Sequence, residues 1–316
     1  MGDPMKNLIC VLAFVVVPTL AAAAEKPDWA FPVTEKEQPK PRIQGTQMRT
    51  VPGNPVTISR AAADDFFNAP DWRPDLHPPM PTVVQYGNKE TQVRACGSCH
   101  LPTGNGHDES AYVAGLPAAY FVRQMADWKS GERKYGGIMV QIAKAATDAE
   151  VRSAAEYFAA VKPRPWIRVV ETDAVPKSFI GPGNKRLELP AGGSEPLGNR
   201  IVEVPEDEEA VVYRDPISGF VAYVPKGSIA KGEALVMTGG DDRTIRCGIC
   251  HGPTLQGLGD VPAIAGRHPN YIVRQLWNIQ NGDRGGTSAA LMKAVVENLS
   301  NDDMLAIAAY VASHTP

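Results

Sequence analysis

Cysteine is scarce in this sequence, with five among 316 residues. Cys10 lies in an N-terminal apolar leader and the other four fall in two pentapeptides. No disulfide framework is therefore left for the rest of the chain, even in a compartment that allows one. Net charge is scarce too, at −3 near neutral pH, and no basic tract occurs. That excludes the electrostatic footprint of a nucleic-acid binder. The leader's apolar run, Leu8 to Leu20, is short for a bilayer span of about 20 residues and carries Pro18. Apolar residues are plentiful, at 43%, enough for globular cores, and the length suggests about two domains.

Residues 1–24 read as an export signal. Lys6 supplies the positive start, Leu8 to Leu20 the apolar centre, and Ala21-Ala22-Ala23-Ala24 a small-residue cleavage site. Met5-Lys6-Asn7 would make an equally good beginning as Met1. The expectation is cleavage and residence in the periplasm; an uncleaved anchor is the alternative.

The two pentapeptides are Cys96-Gly97-Ser98-Cys99-His100 and Cys247-Gly248-Ile249-Cys250-His251. C-x-x-C-H is the attachment signature of a c-type haem. Two thiols one helical turn apart can each add to a haem vinyl group, and the adjacent imidazole then faces the iron. A zinc site would want its second cysteine pair about 15–20 residues away, whereas Cys99 and Cys247 are 148 positions apart. A redox C-x-x-C would need a βαβ context that the sequence does not offer. Two covalently bound haem c groups are expected, on Cys96, Cys99, Cys247 and Cys250, with His100 and His251 as proximal iron ligands.

The repeat extends well beyond the motif. At an offset of 151, Ala114-Gly115 maps to Ala265-Gly266, Tyr120-Phe121-Val122-Arg123-Gln124 to Tyr271-Ile272-Val273-Arg274-Gln275, and Gly131-Glu132-Arg133 to Gly282-Asp283-Arg284. A two-residue insertion shifts the offset to 153, where Met139 maps to Met292 and Ala155-Glu156-Tyr157 to Ala308-Ala309-Tyr310. Among the methionines near a haem motif, Met125 maps to Leu276, Met237 to Tyr86 and Met304 to Val151. Only Met139 and Met292 are paired, 39 and 41 residues after their histidines. They read as loop residues and as the sixth iron ligands, the Met/His pattern of electron transfer. Met125 and Met304 read as core filler.

Between these repeats the pattern breaks. Residues 25–80 read as an extended Pro-rich arm over the first half, anchored by Trp29 and Trp72, with His77 and Met80 in a surface turn. Residues 81–162 form the first haem domain, opening on a weak helix at 81–85 and closing on a helix from about Thr147. Residues 163–224 form an insert in which Ile167–Glu171 and Ala210–Tyr213 read as short strands. Glu206-Asp207-Glu208-Glu209 reads as a solvated turn, or else as a docking patch for a basic partner. Residues 225–316 form the second haem domain. His268 and His314 read as surface histidines, and His107 sits too near His100 to reach the opposite face of an iron. Arg123, Arg133, Arg274 and Arg284 read equally as exposed helix-end residues or as partners of haem propionates.

With these residues in hand, the chain resembles the two-haem, two-domain class I c-type cytochromes, the cytochrome c4 group, over roughly residues 81–162 and 225–316. The resemblance implies a mainly α fold, with two tandem cytochrome c domains facing each other across a pseudo-two-fold interface, and electron carriage in the periplasm. It also implies that Pro262, and Ala111 opposite it, offers a carbonyl to the free nitrogen of the proximal histidine. Expected partners are periplasmic redox proteins: a dehydrogenase or a quinol-oxidising complex as donor and a terminal oxidase as acceptor, with a membrane-bound partner complex among the candidates. The competing readings are a cytochrome subunit bound to an alcohol or sugar dehydrogenase, and a dihaem peroxidase, which would need an iron with an open sixth site.

Overall fold

The last helix of each half opens on the same cap. Thr147 Oγ1 accepts the Glu150 amide at 3.2 Å, and the Glu150 carboxylate accepts the Thr147 amide at 2.8 Å. Ser300 and Asp303 repeat both bonds, at 3.2 and 3.0 Å. Each box satisfies amides that a helix start leaves open, and they begin the helices Asp148–Ala160 and Asn301–Ala312. The computed structural model describes residues 25–40 and 42–316; the expected leader, residues 1–24, lies outside the described residues.

Each half is a run of five helices. The first has Thr82–Gln85, Cys96–His100, Ala118–Ser130, Ile138–Ala145 and Asp148–Ala160; the second has Ser228–Thr238, Gly248–His251, Pro269–Gln280, Thr287–Val296 and Asn301–Ala312. The weak opening of the first half is borne out as a single turn. In the second half Gly232 lets the helix backbones touch, since a Cβ there would lie 2.0 Å from the Ala306 carbonyl oxygen. The aligned position is Pro81, which stands before the first helical residue as its cap. Val84, Leu101, Met125, Trp128 and Phe158 belong to one apolar core, and Val236, Leu255, Val273, Met304 and Ile307 to another. Met125 and Met304 are thus core filler.

The insert lies between these cores. Ile167–Glu171 pairs parallel with Phe220–Val224, which pairs antiparallel with Val202–Pro205. Trp166 and Phe220 join the first core, while Ile201, Ala222 and Val224 join the second. Two antiparallel pairs, Ala174–Pro176 with Ser194–Pro196 and Ser178–Ile180 with Arg186–Glu188, complete it. The strand expected at Ala210–Tyr213 is instead mostly helix, Glu208–Val212: Asp207 accepts the Ala210 amide at 3.1 Å, and that cap outweighs the β-branched residues. The acidic run stays at the surface, as the solvated reading expects, with three of its carboxylates in ion pairs within the chain. Arg168 pairs with Glu206 at 2.7 Å, Arg42 with Glu208 at 3.0 Å and Arg49 with Glu209 at 3.2 Å.

The arm lies over the first half, as expected, only in its later part, where the Ala69 amide donates to the Gln85 carbonyl and the Ala95 amide to the Phe66 carbonyl, each at 2.8 Å. Ala30 and Phe31 are buried in the core of the second half, not laid over the first, and Arg274 donates to the Ala30 carbonyl at 2.9 Å. Farther along, Met48–Thr50 and Thr57–Ser59 form a hairpin. Trp72 is buried with Val51, Ala63 and Tyr213, so this anchor grips the insert. His77 is not a surface residue either: its side chain is 3% exposed and bonds Asp71 at 3.1 Å, while Met80 packs on the first core. Among the described residues no helix is long and apolar enough to cross a membrane.

Candidate haem sites

Proline and glycine shape the loop that follows each C-x-x-C-H helix, and the loop turns a carbonyl back onto the histidine. His100 Nδ1 lies 2.8 Å from the Ala111 carbonyl oxygen, and His251 Nδ1 lies 2.8 Å from that of Pro262. A carbonyl only accepts, so Nδ1 carries the proton and Nε2 keeps its lone pair for a metal. Burial holds both imidazoles below their usual pKa, so each ring is neutral and able to ligate. Both halves show the same 11-residue spacing from histidine to acceptor, although one acceptor is Pro and the other Ala.

Burial pushes the Cys96 thiol up to about 12 and the Cys247 thiol up to about 11. A disulfide-exchange C-x-x-C works by the opposite shift, a lowered thiol pKa. The four cysteines are unpaired with one another, as thioether attachment requires. Met139 lies in the first turn of the helix Ile138–Ala145 and Met292 in the middle of the helix Thr287–Val296, not in the loops expected for them. The glycines before them end earlier: Gly137 and Gly286, at φ 50° and 88°, turn the chain into each helix. Met139 packs half-buried on the first core and Met292 on the second.

The four arginines meet at or near a pseudo-two-fold junction. The Lys134 amide donates to the Asp283 carbonyl at 2.7 Å and the Gly285 amide to the Glu132 carbonyl at 2.6 Å. Across this bridge Arg133 donates to Gln124, Tyr271 and Gln275, at 2.9, 3.3 and 2.8 Å. Arg284 returns the pattern with Gln275, Tyr120 and Gln124, at 3.0, 2.7 and 2.8 Å. Burial and the neighbouring Arg284 lower the pKa of Arg133, and Arg284 Nε is buried without a hydrogen-bond partner. These guanidiniums bond mainly to neutral oxygens, so the acidic side chains of a haem would fit beside them. Tyr120, Tyr271, Gln124 and Gln275 belong to the site although no motif announces them; their recurrence in both repeats is the signal in the sequence.

The other histidines are accounted for within the chain. His107 accepts the Glu109 amide at 3.2 Å and bonds Ser110 at 2.8 Å. His268 is not a surface histidine: its ring is fully buried and lies 3.2 Å from Glu203. His314 bonds the Tyr310 carbonyl at 2.8 Å.

No family model matches the chain. It is 25% identical over 227 residues to the "Thiosulfate dehydrogenase electron acceptor" of Thiomonas intermedia (strain K12), covering 70% of this chain and 79% of that protein. To the cytochrome c4 of Stutzerimonas stutzeri it is 25% identical over 225 residues, covering 70% and 84%. To the cytochrome c-554(548) of Halomonas halodenitrificans it is 36% identical over 75 residues, covering 23% of this chain and 90% of that protein. Among solved structures, the thiosulfate dehydrogenase TsdBA of Marichromatium purpuratum superposes with a TM-score of 0.52 at 25% identity. That match covers 74% of this chain and 39% of the larger one. Duplicated C-x-x-C-H helices, a carbonyl-anchored histidine in each half and these relatives lead to one assignment: the chain belongs to the two-haem c-type cytochromes, electron-transfer proteins of the cytochrome c4 kind.

Proposed function

We propose that this protein carries electrons in the periplasm from a dehydrogenase or a quinol-oxidising complex to a terminal oxidase. In this reading residues 81–162 and 225–316 are the haem domains, residues 25–80 and 163–224 fasten them together, and residues 1–24 are a cleaved signal. Cys96, Cys99, Cys247 and Cys250 hold the two haems; His100 with Met139, and His251 with Met292, are their axial ligands. Each bound haem supplies an iron that gains and loses one electron.

The observation that carries the reading is the duplicated 2.8 Å bond from histidine to carbonyl. It keeps each imidazole in one tautomer and one plane, so a change of oxidation state needs little rearrangement. The methionine thioethers favour Fe(II) and raise the potential. With Met139 and Met292 as sixth ligands, neither iron would offer a place for peroxide, which argues against the peroxidase reading. A bound-subunit reading is favoured by the relative named as an electron acceptor of thiosulfate dehydrogenase, and such an enzyme is one concrete donor.

The test is stopped-flow oxidation and reduction of the purified holoprotein, with a thiosulfate dehydrogenase as donor and membranes containing a terminal oxidase as acceptor. Reduction of both haems by the one and reoxidation by the other supports the carrier. Inertness toward both, or fast peroxide turnover by the reduced protein, sinks it.

A further inference from the structure

The loop that supplies the His100 carbonyl is held from the other half of the molecule. Arg274, on the helix Pro269–Gln280, donates to the Asp108 carbonyl at 2.9 Å and to the Glu109 carboxyl at 2.8 Å. Arg267 donates to the Tyr112 carbonyl at 3.2 Å and to the Ala114 carbonyl at 3.3 Å. Its guanidinium also lies 4.2 Å from the centre of the Tyr112 ring. The carbonyls of residues 108, 112 and 114 are thus engaged by second-half guanidiniums, and the carbonyl of Ala111 between them faces His100.

The relation is crossed and unequal. Arg123 is the repeat partner of Arg274, and Asp260 that of Glu109. Arg123 bonds the Asp260 carboxylate at 3.2 Å and its carbonyl at 3.3 Å, two residues before Pro262. That grip is open to water, with side chains 38% and 65% exposed, whereas Arg274 and Glu109 are 4% and 14% exposed. Arg267 has no cationic counterpart, since Leu116 stands at the aligned position.

We propose that Arg274 and Arg267 are positioning residues for the haem on His100, with Arg123 a weaker positioning residue for the haem on His251. Each half then sets the proximal histidine bond of the other. A firm bond from Nδ1–H to a carbonyl makes the imidazole a stronger donor and favours Fe(III). Loosening the loop weakens that bond and shifts the iron toward Fe(II). Exchange of Arg274 for lysine keeps the charge and loses the forked geometry, so it isolates positioning from electrostatics.

This rests on the ligand assignment proposed above, and wild-type holoprotein tests that first: fewer than two six-coordinate haems would sink the assignment itself. With two in place, redox titration and NMR of the hyperfine-shifted Nδ1–H resonances are compared for Arg274→Lys, Glu109→Gln and Arg123→Lys. The expected result is that Arg274→Lys and Glu109→Gln change the same haem. At a fixed electrode potential its Fe(II) to Fe(III) ratio rises roughly threefold to tenfold, tenfold being about 59 mV for one electron. Its Nδ1–H resonance also exchanges faster, while Arg123→Lys acts on the other haem and less strongly. Glu109→Gln keeps the experiment decisive should Arg274→Lys fail to fold. Equal effects on both haems, or no effect from the Glu109–Arg274 variants, would overturn the proposal.

Discussion

Arg133 and Arg284 stand opposite each other in a single antiparallel bridge, and each reaches past the other to a glutamine of the far half. Two like charges are thereby buried together, held by amide and phenol oxygens contributed symmetrically. Truncation of either removes three hydrogen bonds to a charged group and leaves glutamine and tyrosine oxygens short of donors. Hydrogen bonds to charged groups contribute about 1.5–3 kcal/mol each, offset here by relief of repulsion. Arg133→Ala should therefore lower unfolding stability by about 2–4 kcal/mol in a guanidinium titration. A loss under about 0.5 kcal/mol, the range of ordinary surface substitutions, would show that the network contributes little.

How much of this was legible beforehand depended on whether a residue had a repeat partner. The helix start near Thr147, and His100 with His251, could be read because caps and haem motifs are local in sequence and because the two histidine motifs check each other. The helix Glu208–Val212 was misread because its β-branched residues suggest a strand, while the decisive cap at Asp207 is a single side chain. His268 was misjudged for a different reason. Its aligned residue is Pro117, and its partner Glu203 comes from the insert, 65 positions away. The ion pairs of the acidic run were out of reach in the same way, since Arg42 and Arg49 lie about 160 residues before the carboxylates they meet. The arm's course toward the second core depends on Ala30 and Phe31, two small contacts that no periodicity announces.

The arm should come loose when Trp72 is removed. Trp72 is 1% exposed, its Nε1 donates to the Tyr213 carbonyl at 2.8 Å, and the Tyr213 hydroxyl donates to the Gln47 carbonyl at 2.6 Å. Truncation of a buried tryptophan costs about 3–5 kcal/mol. In Trp72→Ala that loss should fall on the contact of arm and insert, so limited proteolysis should cut within residues 40–75 at least tenfold faster than in wild type. The haem absorption should stay the same. A bleached or high-spin spectrum would mean that the arm supports the haem sites directly.

Acid should weaken the fold through His107. Burial pushes its imidazole down to about 4, against the pull of Asp108, and the Glu109 amide donates to its Nδ1 at 3.2 Å, which requires the neutral ring. In the unfolded chain the same group titrates near 6.5. The native state therefore binds fewer protons, and this contribution is whole above pH 6.5 and fades as pH falls toward 4. At about 1.4 kcal/mol per pKa unit, the loss is of order 3 kcal/mol. Guanidinium unfolding at pH 7 and pH 4.5 should accordingly show a smaller acid loss for His107→Gln than for wild type. Equal losses in the two proteins would place the acid sensitivity elsewhere.

The paired methionines allow the sharpest separation of the two irons. If Met139 and Met292 are the sixth ligands, Met139→Ala and Met292→Ala should each remove half of the weak far-red band from sulfur to ferric iron, and the double variant all of it. Axial ligands govern haem potentials over about 0.8 V, and loss of the thioether removes the preference for Fe(II). Each single variant should therefore show one haem falling well below its wild-type potential while the other holds. The emptied iron should also bind carbon monoxide when reduced, at one equivalent per protein. The two variants need not be equivalent in rate, because Met139 packs on the half whose histidine loop is gripped by Arg274 and Arg267, while Met292 packs on the half whose loop has the more exposed grip of Arg123. Retention of the full band in either single variant would show that its methionine is not a ligand, and the repeat alignment that paired the two would lose its functional meaning.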